Sequence, residues 1–367
     1  IRRLERSGAE VESGMTVVDA DGPGTLFARR GERVARYRAD ATILATGSRE
    51  LFLPFPGWTL PGVVGAGGMQ ALVKGGWPVR GKRVVVAGSG PLLLAVAAYL
   101  RKAGAEVTAI VEQASRASLA AALPGLLFYP AKVRQGIELA WSLRGIRRFY
   151  AGWPTRAQGD GCLESVTIRT KRGETDLACD ALACGFGLIP ETRLARLLGA
   201  AVEDGAVVVD RAQRTTVPGL YAAGELTGVG GVDAALKEGL VAGAAAARVP
   251  ERTRRAFGRA RDREAAFAAM LARAFRLHPG LLSLADKDTI VCRCEDVRFG
   301  EVRSFVDARD AKLKTRCGMG PCQGRVCTPA LRLINGWGPD RVRQPLFPVP
   351  SMALAEIGAA QTREVPQ

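Results

Sequence analysis

Five of the eight cysteines fall between Cys292 and Cys327, first as Cys292-Arg293-Cys294 and then as Cys317-Gly318-Met319-Gly320-Pro321-Cys322-Gln323-Gly324-Arg325-Val326-Cys327. Bunching of this kind is metal-ligand spacing rather than a disulfide framework, and it suits a reducing cytoplasm. An iron–sulfur cluster needs four thiolates converging on one small site. A Cys-x-Cys turn supplies two, and a glycine-rich loop opening a helix supplies two more, with free N–H groups aimed at the sulfurs. A structural zinc ion is the competing use of the same sulfurs, although zinc modules more often carry two Cys-x-x-Cys knuckles. A Rieske centre needs two histidines, and the chain has only His278. Arg293, Arg298, Lys312, Lys314, Arg316 and Arg325 surround the cysteines in sequence and would raise the potential of a negatively charged cluster.

A second chemistry is written in Val84-Val85-Val86-Ala87-Gly88-Ser89-Gly90-Pro91, which reads as strand, glycine turn and helix start. Gly88 permits the tight turn and Gly90 a close backbone approach to a pyrophosphate, while the helix opening at Pro91 offers free N–H groups and partial positive charge. Leu93 and Leu94 stand where a third glycine would be. Glu112 closes the next strand about twenty residues on, where a carboxylate accepts hydrogen bonds from a ribose hydroxyl pair. That acid disfavours a 2′-phosphate, so the expected ligand is NAD or another adenine nucleotide rather than NADP. The competing reading is a βαβ unit kept only for packing.

The elements that must position these residues are legible. Arg83 to Ala87, Pro91 to Ala103 and Val107 to Val111 form a βαβ unit with the spacing of a parallel sheet. Residues up to about Arg38 are strand and turn material, and Ala131 to Arg144 has helical periodicity. Val166 to Ala183 alternates as a hairpin around Lys171-Arg172-Gly173, and Arg252 to Arg276 is a charged helical linker. Pro345-Leu346-Phe347-Pro348 opens an extended tail.

Two further segments flank the βαβ unit: Ala45-Thr46-Gly47 after the strand Ala41 to Leu44, and Thr215 to Glu225, which ends in Ala222-Ala223-Gly224-Glu225. In this order they resemble the two-dinucleotide-domain flavoproteins, in which an NAD-type domain is inserted into an FAD domain. The resemblance implies that Thr46 and Gly47 belong to the FAD site. It places Gly224 and Glu225 at the flavin ribityl chain, with Glu for the usual Asp. Gly231 and Val232 then open a helix whose N-terminus points at the isoalloxazine. Pro56-Gly57-Trp58-Thr59-Leu60-Pro61-Gly62-Val63 and Ala183-Cys184-Gly185-Phe186-Gly187 narrow the resemblance. They are similar to the flavin/iron–sulfur subunits of hetero-oligomeric amino-acid and opine dehydrogenases, the group that includes hydrogen cyanide synthase, nopaline and octopine oxidases and D-hydroxyproline dehydrogenase. In that group the [2Fe-2S] ligands correspond to Cys292, Cys294, Cys322 and Cys327, with Cys317 a spare fifth. The family's own FAD glycine turn is missing from Ile1 to Asp40, which puts flavin retention by this chain in question.

The expected architecture is therefore α/β, a two-dinucleotide-binding-domain flavoprotein with a small C-terminal [2Fe-2S] domain. Its expected parts are residues 1–78 and 183–250 for the FAD domain, 79–182 for the inserted NAD-type Rossmann domain, 251–289 for a helical linker, 290–350 for the cluster domain and 351–367 for a tail. The expected function is electron transfer, with a partner FAD-containing subunit oxidising the substrate and an unspecified acceptor taking the electrons. The alternatives are a self-sufficient NAD(P)H-dependent reductase and a non-catalytic structural or regulatory subunit.

Composition excludes other classes. Lys and Arg outnumber Asp and Glu by 52 to 36, a net charge of +16, but the arginines are dispersed without the patches or fingers of a nucleic-acid binder. The longest apolar run, Val84 to Leu100, is broken by Gly88-Ser89-Gly90-Pro91, so no membrane span is expected. There is no Ser/His/Asp set, and no catalytic side chain is assigned. Cys162, Cys179 and Cys184 read as small buried hydrophobes, and His278 as a surface or packing residue.

Overall fold

The computed structural model describes Leu4, residues 6–339 and residues 342–362. It divides into two compact units, Ile1–Gly47 with Pro190–Glu264 and Arg341–Gln367, and Ser48–Ile189 with Ala265–Asp340.

The second unit is built on a five-stranded parallel sheet in the order Val63–Gly65, Ala181–Gly185, Arg83–Gly88, Glu106–Glu112, Arg147–Tyr150. Val84, Val85, Val86 and Ala87 are all fully buried, because both faces of a parallel sheet are covered. The two-residue period then sorts the side chains. Val84, Val86, Ala181 and Ala183 pack with Val96 and Leu100 of the helix Leu92–Lys102. Val85, Ala87, Val111 and Leu182 pack with Phe55, Val166 and Ile168. Val166 and Ile168 lie in the middle strand of an antiparallel sheet of Trp153–Gln158, Ser165–Thr170 and Gly173–Ala178. The hairpin expected around Lys171-Arg172-Gly173 is the outer half of that sheet.

The cysteine segment has its own small core of Val291, Val302, Ala311, Leu331 and Trp337. Its strand Ile290–Cys292 pairs antiparallel with Val297–Arg298. The helix Ala308–Thr315 starts on an Asp307 cap, whose Oδ1 accepts from Asp310 N at 2.8 Å. The helix Cys327–Asn335 ends at Gly336 in the left-handed region, φ 68°.

The first unit holds an antiparallel sheet of Thr16–Ala20, Thr25–Arg30 and Arg33–Arg38. It also holds the parallel pair Thr42–Leu44 and Leu220–Ala222, in register Thr42 to Leu220 and Leu44 to Ala222. The helix Gly231–Ala246 follows that pair in sequence.

Three boundaries differ from the sequence expectation. Val63–Gly65, placed in the first FAD segment, is the edge strand of the nucleotide sheet, paired with Ala181–Gly185. A cut between 182 and 183 runs through that same strand, which is paired along its length with Arg83–Gly88. The tail expected to be extended is helical over Ser351–Thr362, because Ala353 and Ile357, four residues apart, are buried, Ile357 against Val18 and Phe27. Of the segments 1–78 and 351–367, residues 1–3, 5 and 363–367 lie outside the described residues. No helix among the described residues is long and apolar enough to cross a membrane.

Candidate functional site

The fold gathers the cysteines into two adjoining groups. The Sγ atoms of Cys292, Cys317 and Cys327 all lie within 4.8 Å of one another, and all three residues are buried. Cys294, exposed, and Cys322, half-buried, are hydrogen-bonded through their thiols. Of the four ligands implied by resemblance, Cys292 and Cys327 thus sit in the first group and Cys294 and Cys322 in the second. Cys317, held spare, completes the first group.

Local backbone chemistry explains the convergence. Cys327 is the first residue of its helix, and its thiol hydrogen bond to Cys292, with burial, pushes its pKa up to about 12. Gly318, at φ +82°, donates its N–H to Cys292 Sγ at 3.4 Å. Thiol hydrogen bonds from Cys317 and Cys327 hold the Cys292 sulfur well below the usual thiol range. A Cβ at Gly320 would stand 2.3 Å from the Cβ of Cys294, so only glycine lets the loop close on the Cys-x-Cys turn. Arg325 Nε anchors the loop on the Cys322 carbonyl at 3.1 Å, and Trp58 Nε1 holds the Ile290 carbonyl at 2.5 Å, at the start of the strand that carries Cys292. Among the surrounding cations, Arg316 is ion-paired with Glu295 at 2.7 Å and Arg298 with Asp288 at 3.4 Å.

At the dinucleotide turn, the amides that would face a phosphate are occupied. Ser89 N donates to the Gly185 carbonyl at 2.9 Å, Gly90 N donates to Glu112 Oε2 at 2.8 Å, and Pro91 has no N–H. Gly88 is required by packing, because a Cβ there would stand 1.7 Å from the Gly185 carbonyl oxygen. Glu112 also accepts from Ala114 N at 2.8 Å and is only 8% exposed. Burial pushes its carboxyl up to about 7 against the opposing pull of the Ala114 and Gly90 amides. The acid expected to face a ribose is committed to the turn that carries it.

The flavin-type residues meet at the ends of the parallel pair. Ala223 N donates to the Leu44 carbonyl, and Thr46 and Gly47 follow that strand, with Thr46 Oγ1 donating to the Glu191 carbonyl at 2.6 Å. Gly47 at φ +68° and Gly224 at φ +87° turn the two chain ends in conformations that favour glycine. Glu225 is half-buried directly after Gly224. Gly231 and Val232 open the helix Gly231–Ala246, with Val232 exposed. The residue that sequence reasoning missed is Glu238. Its carboxylate accepts from Gly224 N at 2.7 Å and from Thr227 Oγ1 at 2.9 Å, and burial raises its pKa. An acid inside an alanine-rich helix was the available signal.

The remaining candidates behave simply. Cys179 and Cys184 are buried, with the Cys179 thiol pushed up to about 12 by desolvation, whereas Cys162 is exposed. His278 stacks on Trp153 at 4.6 Å, and its Nδ1 accepts from Gly280 N at 3.0 Å, which is a packing role.

Known proteins agree with this architecture. Residues 2–256 match the pyridine nucleotide-disulphide oxidoreductase family. The chain is 32% identical to the HcnB subunit of hydrogen cyanide synthase from Pseudomonas aeruginosa, across 93% of this chain and 81% of the relative. It is 31% identical to an opine oxidase subunit from Rhizobium meliloti, across 97% of this chain and 85% of the relative. L-Proline dehydrogenase from P. horikoshii shares the fold with a TM-score of 0.60 at 18% identity, covering 93% of this chain and 64% of that one. The family match takes in both the nucleotide sheet and the flavin-type strands, and the two relatives extend it through the cysteine segment. The chain is an oxidoreductase and belongs to the pyridine nucleotide-disulphide oxidoreductase family.

Proposed function

We propose that this chain is the electron-relay subunit of a hetero-oligomeric dehydrogenase. A partner flavoprotein subunit oxidises an amino acid, imino acid or opine at its C–N bond, and this chain passes the electrons to an acceptor through FAD and a [2Fe-2S] cluster. The observation that carries the reading is the closure of the Cys-x-Cys turn on the Cys317–Cys327 loop across Gly320. The two relatives, both named as subunits, support the hetero-oligomeric part.

The cysteines fit the group they are asked to hold. Soft sulfur donors, buried on one side and backed by the Gly318 N–H, suit iron–sulfur ligation. Cys292, Cys294, Cys322 and Cys327 are the proposed ligands, with Cys317 beside them in the buried group. Thr46, Gly47, Gly224, Glu225, Gly231 and Val232 are the proposed FAD contacts, and Glu238 holds Gly224 in place. When bound, FAD accepts two electrons and the cluster handles them singly. The chain's own work is positioning: Trp58, Arg325 and Gly320 set the cysteine geometry, and Cys294 and Cys322 form the side nearer solvent. No acid/base pair is required of this subunit.

The test is to purify the complete gene product anaerobically together with its partner protein and to follow visible absorbance. Candidate amino acids or opines should bleach it, and NADH alone should not. Bleaching by NADH without any partner would favour a self-sufficient reductase instead.

A further inference from the structure

In open parallel sheets a ligand lies outside the carboxyl ends of the strands. In this unit the carboxyl ends of Arg83–Gly88 and Glu106–Glu112 lead directly into Ser89 and Gln113. Both side chains are bonded to a distant stretch of the same unit. Gln113, only 2% exposed, donates through Nε2 to Ser89 Oγ at 2.9 Å, to the Arg276 carbonyl at 3.2 Å and to the Phe275 carbonyl at 3.4 Å. Its Oε1 accepts from His278 N at 3.0 Å, and Ser89 Oγ donates to the Phe275 carbonyl at 3.3 Å. One amide side chain therefore holds three backbone groups of this short stretch over the glycine turn.

The stretch is anchored on both flanks. Upstream, Phe267 stacks on Tyr129 at 4.8 Å, and Met270 Sδ would stand 2.4 Å from a Cβ at Gly125. Downstream, His278 stacks on Trp153, and Leu281 is fully buried in the core shared with Phe55 and Ile168. The stretch is a tethered strap rather than a passing loop.

We propose that Phe275–His278 is a built-in gate over the dinucleotide crevice, opened when the Gln113 and Ser89 bonds to it are broken. An adenine nucleotide then competes with the strap for the space outside the carboxyl ends of the strands, and the closed form disfavours electron entry from a nicotinamide cofactor. The gate stands on geometry alone and does not depend on the cluster or on the identity of the partner.

The experiment is calorimetric titration of the full chain with ADP-ribose and, separately, with NAD+. The wild type should bind weakly, and Gln113→Ala, which cuts every side-chain tie from residue 113, should bind about tenfold more tightly. Ser89→Ala should show a smaller gain in the same direction. Hydrogen exchange on the wild type supplies a check that needs no variant, because saturating ADP-ribose should speed exchange at the His278 amide. Equal affinity in wild type and Gln113→Ala, absence of binding to both, or binding that leaves His278 protected would each overturn the gate. Cluster spectra are unaffected by any of these outcomes, so the relay reading is judged separately.

Discussion

A methyl group added to Gly320 would come within 2.3 Å of the Cβ of Cys294 and within 3.0 Å of Glu295 Oε1. That approach is one of the contacts that join the Cys-x-Cys turn to the loop of Cys317, Cys322 and Cys327 across the intervening helix Ala308–Thr315, beside the Gly318 N–H on Cys292 Sγ and the Arg316–Glu295 ion pair. The cysteines gather where two short stretches touch at a residue without a side chain.

Gly320→Ala should therefore separate the two groups. Overpacking of this kind costs about 1–3 kcal/mol, which is relieved by moving the loop away. The expected outcome is loss of bound iron and visible cluster absorbance, while far-ultraviolet circular dichroism stays that of the wild type. Undiminished iron content in the variant would show that the approach is not needed.

Serine substitutions should sort the five cysteines. Cys292→Ser, Cys294→Ser, Cys322→Ser and Cys327→Ser should each lower iron and labile sulfide sharply, and Cys317→Ser should keep both. The reverse result for Cys317 and Cys327, measured by metal analysis and absorbance, would move the fourth ligand to Cys317, which shares the buried three-sulfur group.

The buried carboxyl of Glu112 makes stability depend on pH. Its folded-state value is raised from 4.5 to about 7, so between those values the folded chain holds more protons than the unfolded one. The contribution is complete below pH 4.5 and is lost as pH rises through 7. Relative to Glu112→Gln, the wild type should lose about 3 kcal/mol across that window, read from urea midpoints at several pH values. Parallel curves for the two proteins would refute the burial argument.

Glu238→Ala should loosen the turn at Gly224. It strands the Gly224 amide, at a cost of about 1–3 kcal/mol for a group left unpaired in the interior, while the Thr227 hydroxyl keeps the Gly224 carbonyl as acceptor at 2.9 Å. Lower thermal stability and weaker flavin retention are expected together, with Glu238→Gln restoring much of both. A variant that melts like the wild type would remove Glu238 from the site.

Much of this was visible in the sequence because the physics is local. Val84 to Val86 reads as a doubly covered strand, and Gly88 is demanded by a carbonyl that a Cβ would strike at 1.7 Å. The bunching of the five cysteines is legible from spacing, and the fold brings the sulfurs of three of them within 4.8 Å of one another. What was hidden depends on residues far apart in the chain. Nothing near Gln113 foretells its ties to Phe275, Arg276 and His278, and Glu238 shows only as an acid inside an alanine-rich helix, with nothing to tie it to Gly224. The terminal helix was missed because Ala353 and Ile357 give it a stripe of only two buried residues among those described. Glu112 was legible as an acid at the right place, but its use by Gly90 and Ala114 was not.

The central claim is that sulfurs from two distant stretches hold a pair of irons, and electron paramagnetic resonance of the anaerobically purified, dithionite-reduced full chain tests it most directly. The expected spectrum is the half-integer-spin signal of a reduced [2Fe-2S] centre, with iron and acid-labile sulfide present in equal amounts. A silent spectrum from protein carrying stoichiometric zinc and no labile sulfide would contradict it.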